Sequence, residues 1–380
     1  MSPTFKSRSH REVKPRDEWF ARQLLPPRAD VGIRAILRRA GWMNSAGGTG
    51  PYLAFRARNP AVTRRDVDAA AFRSFDIVEV PAVRDSMMLV PRDDIALALA
   101  AGRRSFGERL AKIEKACGVT RNELDILGDR IMRIVEHGVR TLDGLRAELP
   151  AKYIRDLGEA GKKFAFASTL PIALRILQTE GRIIRLAEEL QLDGKRHSYR
   201  AWPDAVKVGD APKDLDRALA ERFTEWASPA SVDEFATWAG IGKTAAKRVL
   251  PISASAVQAS PATGTFLLPF RDNYFALHRG LTAFTDTRGV TLLDFSNKPK
   301  PLESLDSLHH NAIVVDGELC GIWEYDRAEE RVVWKMFSRV DVSEAVAQTD
   351  RFIRDELGDH KFYAVDHTRS RDLRLQFVAS

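Results

Sequence analysis

TLPIALRILQTEGRIIRLAEELQLDGKRHSYRAW, residues 169–202, carries the signal that decides the fold. Residues 169–181 read as a helix, with Pro171 in the first turn, where a missing N–H breaks no bond, and Gly181 at the exit. The segment after it reaches Asp193-Gly194, a pair suited to the positive φ angles of a tight hairpin turn, so 182–202 reads as two antiparallel strands. Upstream, Thr120 and Glu123 stand in capping-box spacing before a run whose Leu124, Leu127, Ile131, Ile134 and Val135 share one helical face. Gly138 closes that helix, and residues 141–149 give a second, short one. Three helices followed by a β-hairpin is the order of a winged helix, whose third helix enters the major groove while the hairpin touches the flanking backbone.

The cations sit where that order needs them. Lys162 and Lys163 precede the third helix, Arg175 lies on it, and Arg182, Arg185, Lys195, Arg196 and Arg200 populate the wing. Arg175 and Gln178 are expected to face the groove, and Lys162, Lys163, Arg182 and Arg185 to neutralise phosphates. The competing reading of these cations is a solvated face on a winged helix that packs against a protein.

Outward from this unit, residues 1–100 read as an N-terminal winged-helix-like domain. Its signals are helix candidates at 17–25, 30–40 and 63–72, the last capped by Thr63 with Asp66 three residues on, and two strand-like runs interrupted at Arg84-Asp85. Residues 101–210 form the central winged helix. Residues 211–260 give a third helix-turn-helix unit, with Ser231 and Glu234 in capping-box spacing and a cationic last helix carrying Lys243 and Lys247. From 261 to 380 the runs TFLLPF, HNAIVVDG, ELCGIWEYD and RVVWKMFS predict a β-rich domain, a small barrel or curled sheet closed by a final helix. The fold class is therefore α+β: tandem winged helices followed by a C-terminal β-barrel-like domain.

Composition narrows the function. A net charge of +7 and a pI near 9.4 favour a polyanionic partner. No apolar run approaches the ~20 residues that span a bilayer. The basic N-terminus lacks the apolar core of a secretory signal. Cys117 and Cys320 are far apart in sequence, which argues against a disulfide framework or a cysteine zinc site and suits a reducing cytoplasm. GIGKT at 240–244 fails as a phosphate loop because Thr237 stands where its first glycine belongs. Gly47, Gly48 and Gly50 do not give G-x-G-x-x-G, so no nucleotide cofactor is expected. WAGIGKTAAKRVL reads either as a helix-hairpin-helix, whose turn amides hold a DNA phosphate, or as an ordinary glycine turn between helices. His309 and His310 are adjacent and would point to opposite faces of a strand, so no metal site is expected.

Six stretches carry a resemblance: RQLL at 22–25, GWMNSAGGTGPYLAFRAR at 41–58, SMMLVPRDD at 86–94, STLPIALRILQTEGRIIR at 168–185, LLPFRDNYF at 267–275 and AIVVDGELCGIWEYD at 312–326. Together they resemble the bacterial winged-helix DNA-binding family that includes DNA glycosylases acting on interstrand crosslinks and alkylated bases. The resemblance implies double-stranded DNA, damaged or not, as the partner, no cofactor, and a cytoplasmic, nucleoid-associated protein. It also implies a catalytic motif of two polar residues separated by one position and beginning with glutamine, which falls on Asn44 and Ala46. Asn44 retains an amide that can orient water, whereas Ala46 polarises nothing. Asp272, in LLPFRDNY, is the candidate carboxylate, with a turn or cap residue as its competing reading. Three functions stay open: a DNA-binding protein with a degraded motif, a divergent DNA glycosylase, and a protein-interaction scaffold.

Overall fold

The computed structural model describes residues 14–45, 48–250, 257, 259–285, 289–361 and 368–380. One topological pattern occurs twice. Helix Ile33–Ala40 is followed by strand Met43–Asn44, helices Gly50–Arg58 and Arg64–Phe72, and the hairpin Ile77–Pro81 with Met87–Pro91. Helix Arg121–Val135 is followed by strand Arg140–Thr141, helices Leu142–Glu148, Gly158–Lys162 and Thr169–Thr179, and the hairpin Ile183–Ala187 with His197–Ala201. In both sheets the short first strand pairs antiparallel with the last one, Asn44 opposite Met88 in one and Thr141 opposite Ser198 in the other. No fixed sequence period marks this repeat, because the leading helices differ in length, 8 residues against 15.

The caps form as their spacing predicts. Thr63, Thr120 and Ser231 accept from the backbone N–H of Asp66, Glu123 and Glu234, and each acid reaches back to its cap. Between the two units runs helix Ile95–Cys117, which ends at Gly118 in a left-handed conformation. This helix passes so close to the first hairpin that a Cβ on Gly102 would lie 2.3 Å from the Pro81 carbonyl oxygen. Because the obstacle is backbone, Gly102→Ala is expected to cost about 1–3 kcal/mol, read as a lowered midpoint in urea unfolding; an unchanged midpoint would mean that helix and hairpin can separate freely.

The hairpin of the second unit departs from the expected tight turn. Its strands stop at Ala187 and resume at His197, and Gly194 does not adopt a positive φ. The intervening loop docks instead on the first unit. Leu192 N–H donates to the Tyr52 hydroxyl at 2.8 Å, Leu192 enters the first unit's core, and Asp193 pairs with Arg64.

Helices Leu215–Ala227, Val232–Ala239 and Lys243–Val249 form the third unit, with Gly240 left-handed between the last two. The C-terminal strands form an antiparallel sheet in the order Arg331–Met336, Glu318–Asp326, Asn311–Val315, Thr265–Leu268. The Asp316-Gly317 turn between two of them has both residues at positive φ. The expected barrel does not form: this sheet is open, and none of the sheets among the described residues closes. Helix Ser343–Phe352 packs against Arg331–Met336 and Thr265–Leu268, and helix Thr368–Ala379 against Arg331–Met336 and Glu318–Asp326. A separate hairpin, Thr291–Leu293 with Pro299–Pro301, was not foreseen from the sequence.

The cores cross the sequence boundaries at 100, 210 and 260. One joins Ile36, Leu37, Tyr52 and Phe55 of the first unit to Ile313 and Trp323 of the C-terminal sheet. Another joins the first hairpin to helix Ile95–Cys117 and to Phe223, Trp226, Phe235 and Trp238 of the third unit. Among the described residues, no helix is long and apolar enough to cross a membrane.

Candidate functional site

Strand Met43–Asn44 places the motif. Met43 enters the core, and Asn44, on the alternate face, lines a crevice. Ser45 is buried, its hydroxyl donating to Glu79 Oε1 at 2.7 Å, while Glu79 Oε2 accepts from Arg185 Nη2 at 2.7 Å. Ala46 lies outside the described residues.

Residues of LLPFRDNYF clamp both flanks of this motif. The Asn273 side-chain amide donates to the carbonyls of Ala40 and Trp42 at 3.0 and 3.1 Å, bracketing Gly41, whose φ is +97°. A Cβ at Gly41 would meet that amide nitrogen at 3.0 Å and the Trp226 ring at 3.2 Å. On the other flank, Asp272 accepts from Arg58 through both oxygens at 2.8 Å, with both side chains fully buried. Asp272 Oδ1 also accepts from the Tyr274 N–H, capping helix Asn273–Ala276. The carboxylate thus lines a small void beside Asn44, where it pairs with a guanidinium and caps a short helix. Thr49 completes the clamp, fully buried, with its hydroxyl 2.9 Å from His360 Nδ1 and its N–H donating to the Lys361 carbonyl.

The crevice, about 370 Å³, lies where the first hairpin, the third unit and the C-terminal domain meet. Trp42, Asn44, Ser86 and Met88 line one side, Trp238 another, and Phe270, Arg271, Phe295 and His309 the third. Arg84 stands at its mouth on the tip of the first hairpin. Arg84 and Asp85 have φ angles of 57° and 56°, the pattern of a type I′ turn normally filled by asparagine and glycine. Two non-glycine residues at positive φ store strain at this tip. Asp85 is held there by Arg109 at 2.7 Å and Arg175 at 3.5 Å. A Cβ at Gly240, in the G-I-G turn, would meet Arg84 Cγ at 3.0 Å, so the hairpin tip rests on the third unit. The Arg84 side chain is exposed yet crowded by protein at its base; that burial, then the charges of Arg271 and Arg279, holds its pKa below the usual guanidinium range, with Asp306 opposing. Like charges held this close together favour an anionic occupant.

The cations expected to contact DNA separate into two groups. Arg175 and Gln178 turn inward, because strand Ile77–Pro81 and helix Ile95–Cys117 cover the helix face that carries them. Arg175 pairs with Asp85 and touches Met87 Sδ; Gln178 is buried; Arg185 pairs with Glu79. These three are not presented to a groove in this conformation, which corrects the expectation that Arg175 and Gln178 face one. Arg200 is half-buried opposite Ile184. Lys162, Lys163, Lys195, Arg196, Lys243 and Lys247 are exposed, with Lys162 near Glu159, Arg196 near Glu188 and Glu189, and Lys243 near Asp233. Arg182 is 42% exposed beside Asp129 and Glu180. His309 stacks on Phe295, and His310 is buried near Glu324; among the described residues, no group of acids, histidines and cysteines is placed to hold a metal.

Sequence reasoning missed Arg84, Arg271, Asn273 and Phe295. Arg84-Asp85 left a trace as an interruption between two strand-like runs, and Arg271 and Asn273 lie in the stretch LLPFRDNYF, whereas Phe295 left none.

The fold is similar to that of Streptomyces sahachiroi DNA glycosylase AlkZ, with a TM-score of 0.59, 14% sequence identity, and coverage of 91% of this chain and 96% of that one. Comparison with curated proteins gives no match. The family model described as DNA glycosylase AlkZ-like matches residues 37–359, a span that takes in the motif strand, Arg58, Asp272, Asn273 and the whole crevice. The chain therefore belongs to the AlkZ-like DNA glycosylase family.

Proposed function

We propose that this protein binds duplex DNA through tandem winged helices and receives a nucleotide turned out of the duplex in the crevice beside Asn44. The repeated order of helix, short strand, two or three helices and hairpin, with the short strand against the last, supports reading both units as winged helices. The observation that carries the proposal is the crevice itself. It is about 370 Å³, aromatic on one wall and cationic at the mouth, and the one amide retained from the family motif lines it. A base cannot be worked on inside the stack, so a pocket of this kind serves a flipped nucleotide.

Arg84 and Arg271 are the cations expected to hold flanking phosphates. Replacing both with alanine should flatten the slope of log K against log salt by about one to two units, measured by anisotropy of a labelled duplex across a salt series. An unchanged slope would remove the crevice mouth from the DNA path.

The second reading, a divergent glycosylase, draws on the Asn44 amide at the crevice. A single amide can still orient water toward a sugar carbon carrying oxocarbenium charge. Appearance of abasic product from alkylated or crosslinked duplex supports it; absence of product alongside an active control enzyme retires it and leaves the binding reading intact.

A further inference from the structure

We propose that Phe295 and His309 form a single-sided platform on which the turned-out nucleobase stacks. The inference rests on the reading that duplex DNA reaches this crevice, and it names the surface that holds the base. Phe295 stands at the tip of the Thr291–Leu293/Pro299–Pro301 hairpin and is 48% exposed, unusual for a side chain of its kind. Its ring stacks on the His309 imidazole with centroids 3.7 Å apart and planes 25° from parallel. Phe270 stands edge-on to both, at 5.9 Å from Phe295 and 6.4 Å from His309. All three rings line the crevice that Asn44 also lines.

The tip is built to stay in place. Asp294 accepts from the N–H groups of Ser296 and Lys298 at 2.8 and 3.0 Å, and Lys300 Nζ lies 2.9 Å from it. The Lys298 amide, then the Lys300 ammonium, draws the Asp294 pKa down to about 2. Asn297 accepts from the Ser370 hydroxyl at 3.1 Å, tying the tip to the last helix. An exposed aromatic ring on a rigid tip is pre-organised for a planar partner.

The geometry separates a platform from a wedge. A wedge enters the base stack and needs both ring faces free. One face of Phe295 is taken by His309, which leaves one face for one base. His309 suits the role as a neutral ring, since burial, followed by the charges of His310 and Arg271, lowers its pKa. Arg84 and Arg271, which line the same crevice, are the cations available to phosphates flanking the base. The ligand class is thus a nucleobase still joined to its backbone.

The test uses the full chain and two fluorescein-labelled duplexes of one sequence. One is fully paired; the other carries 2-aminopurine opposite an abasic analogue, so that base is already unpaired. Wild type is expected to bind the opened duplex more tightly. Phe295→Ala and, independently, His309→Ala should lose about tenfold in affinity for the opened duplex, with affinity for the paired duplex unchanged and Phe295→Trp retaining the preference. Phe295 is exposed, so its alanine variant is expected to melt with the wild type, and matched melting curves confirm that the loss is local. A wild type without preference for the opened duplex, or a Phe295→Ala variant that keeps it, overturns the platform while leaving duplex binding standing. A wild type that binds neither duplex overturns the DNA reading and this inference with it.

Discussion

Asp272→Ala is expected to lower the unfolding free energy by about 3–5 kcal/mol. Asp272 and Arg58 are both fully buried, and the variant strands a guanidinium that has lost its two 2.8 Å contacts. Gln23 Oε1 and the Ala54 carbonyl also accept from Arg58, but neither carries a charge to compensate it. Arg58→Ala should fall in the same range, since it leaves a buried carboxylate instead. The double variant Arg58→Met/Asp272→Leu should recover much of the loss, because removing both charges removes the desolvation penalty that either alone would leave. Urea unfolding by circular dichroism measures all three. If Asp272 were the reacting carboxylate, Asp272→Asn would keep the unfolding midpoint and lose base release. A stable, inactive Asp272→Asn would therefore contradict its placement as the ion-pair clamp on helix Gly50–Arg58.

The second large effect concerns Asn44. Where the wild type releases base from alkylated duplex, Asn44→Ala should slow release by about 10²–10³-fold, the scale of removing one pre-positioned donor from a reacting centre. Asn44 is held by strand pairing opposite Met88, and Asn273 fixes the two carbonyls just before it, so its amide is aimed before the substrate arrives. Single-turnover release with excess enzyme reads the chemical step apart from binding. Equal release by both proteins would move the chemistry to another residue. Duplex affinity should stay near wild type, since the amide touches no phosphate in this account.

What the sequence disclosed follows from the range of the forces concerned. The caps at Thr63, Thr120 and Ser231 are set within three residues, and the structure has all three. The C-terminal strands were equally plain, because apolar runs bounded by turn residues are a local signal, but whether they close depends on the rest of the fold, including helix Thr368–Ala379 against Glu318–Asp326 and Arg331–Met336. Helix Thr169–Thr179 shows the same limit. Its periodicity marks one apolar face, and nothing in that period reveals that a second chain segment buries the opposite one, taking Arg175 and Gln178 inward. Asn44 was legible through family resemblance, whereas the crevice around it was not. Its walls come from residues 42–44, 84–88, 238, 269–278, 295 and 305–312, brought together by the packed cores. Phe295 sits in a proline-flanked turn between strands of three residues each, too short for alternation to show.

Hydrogen exchange, followed by mass spectrometry with and without a generic duplex at low salt, tests the central claim most directly. The account predicts slowed exchange in peptides covering 41–45, 83–88, 269–278 and 305–311, the walls of the crevice beside Asn44, together with exposed cationic segments such as 158–163. Protection confined to surfaces away from these walls, or none at a duplex concentration that saturates binding, would contradict it.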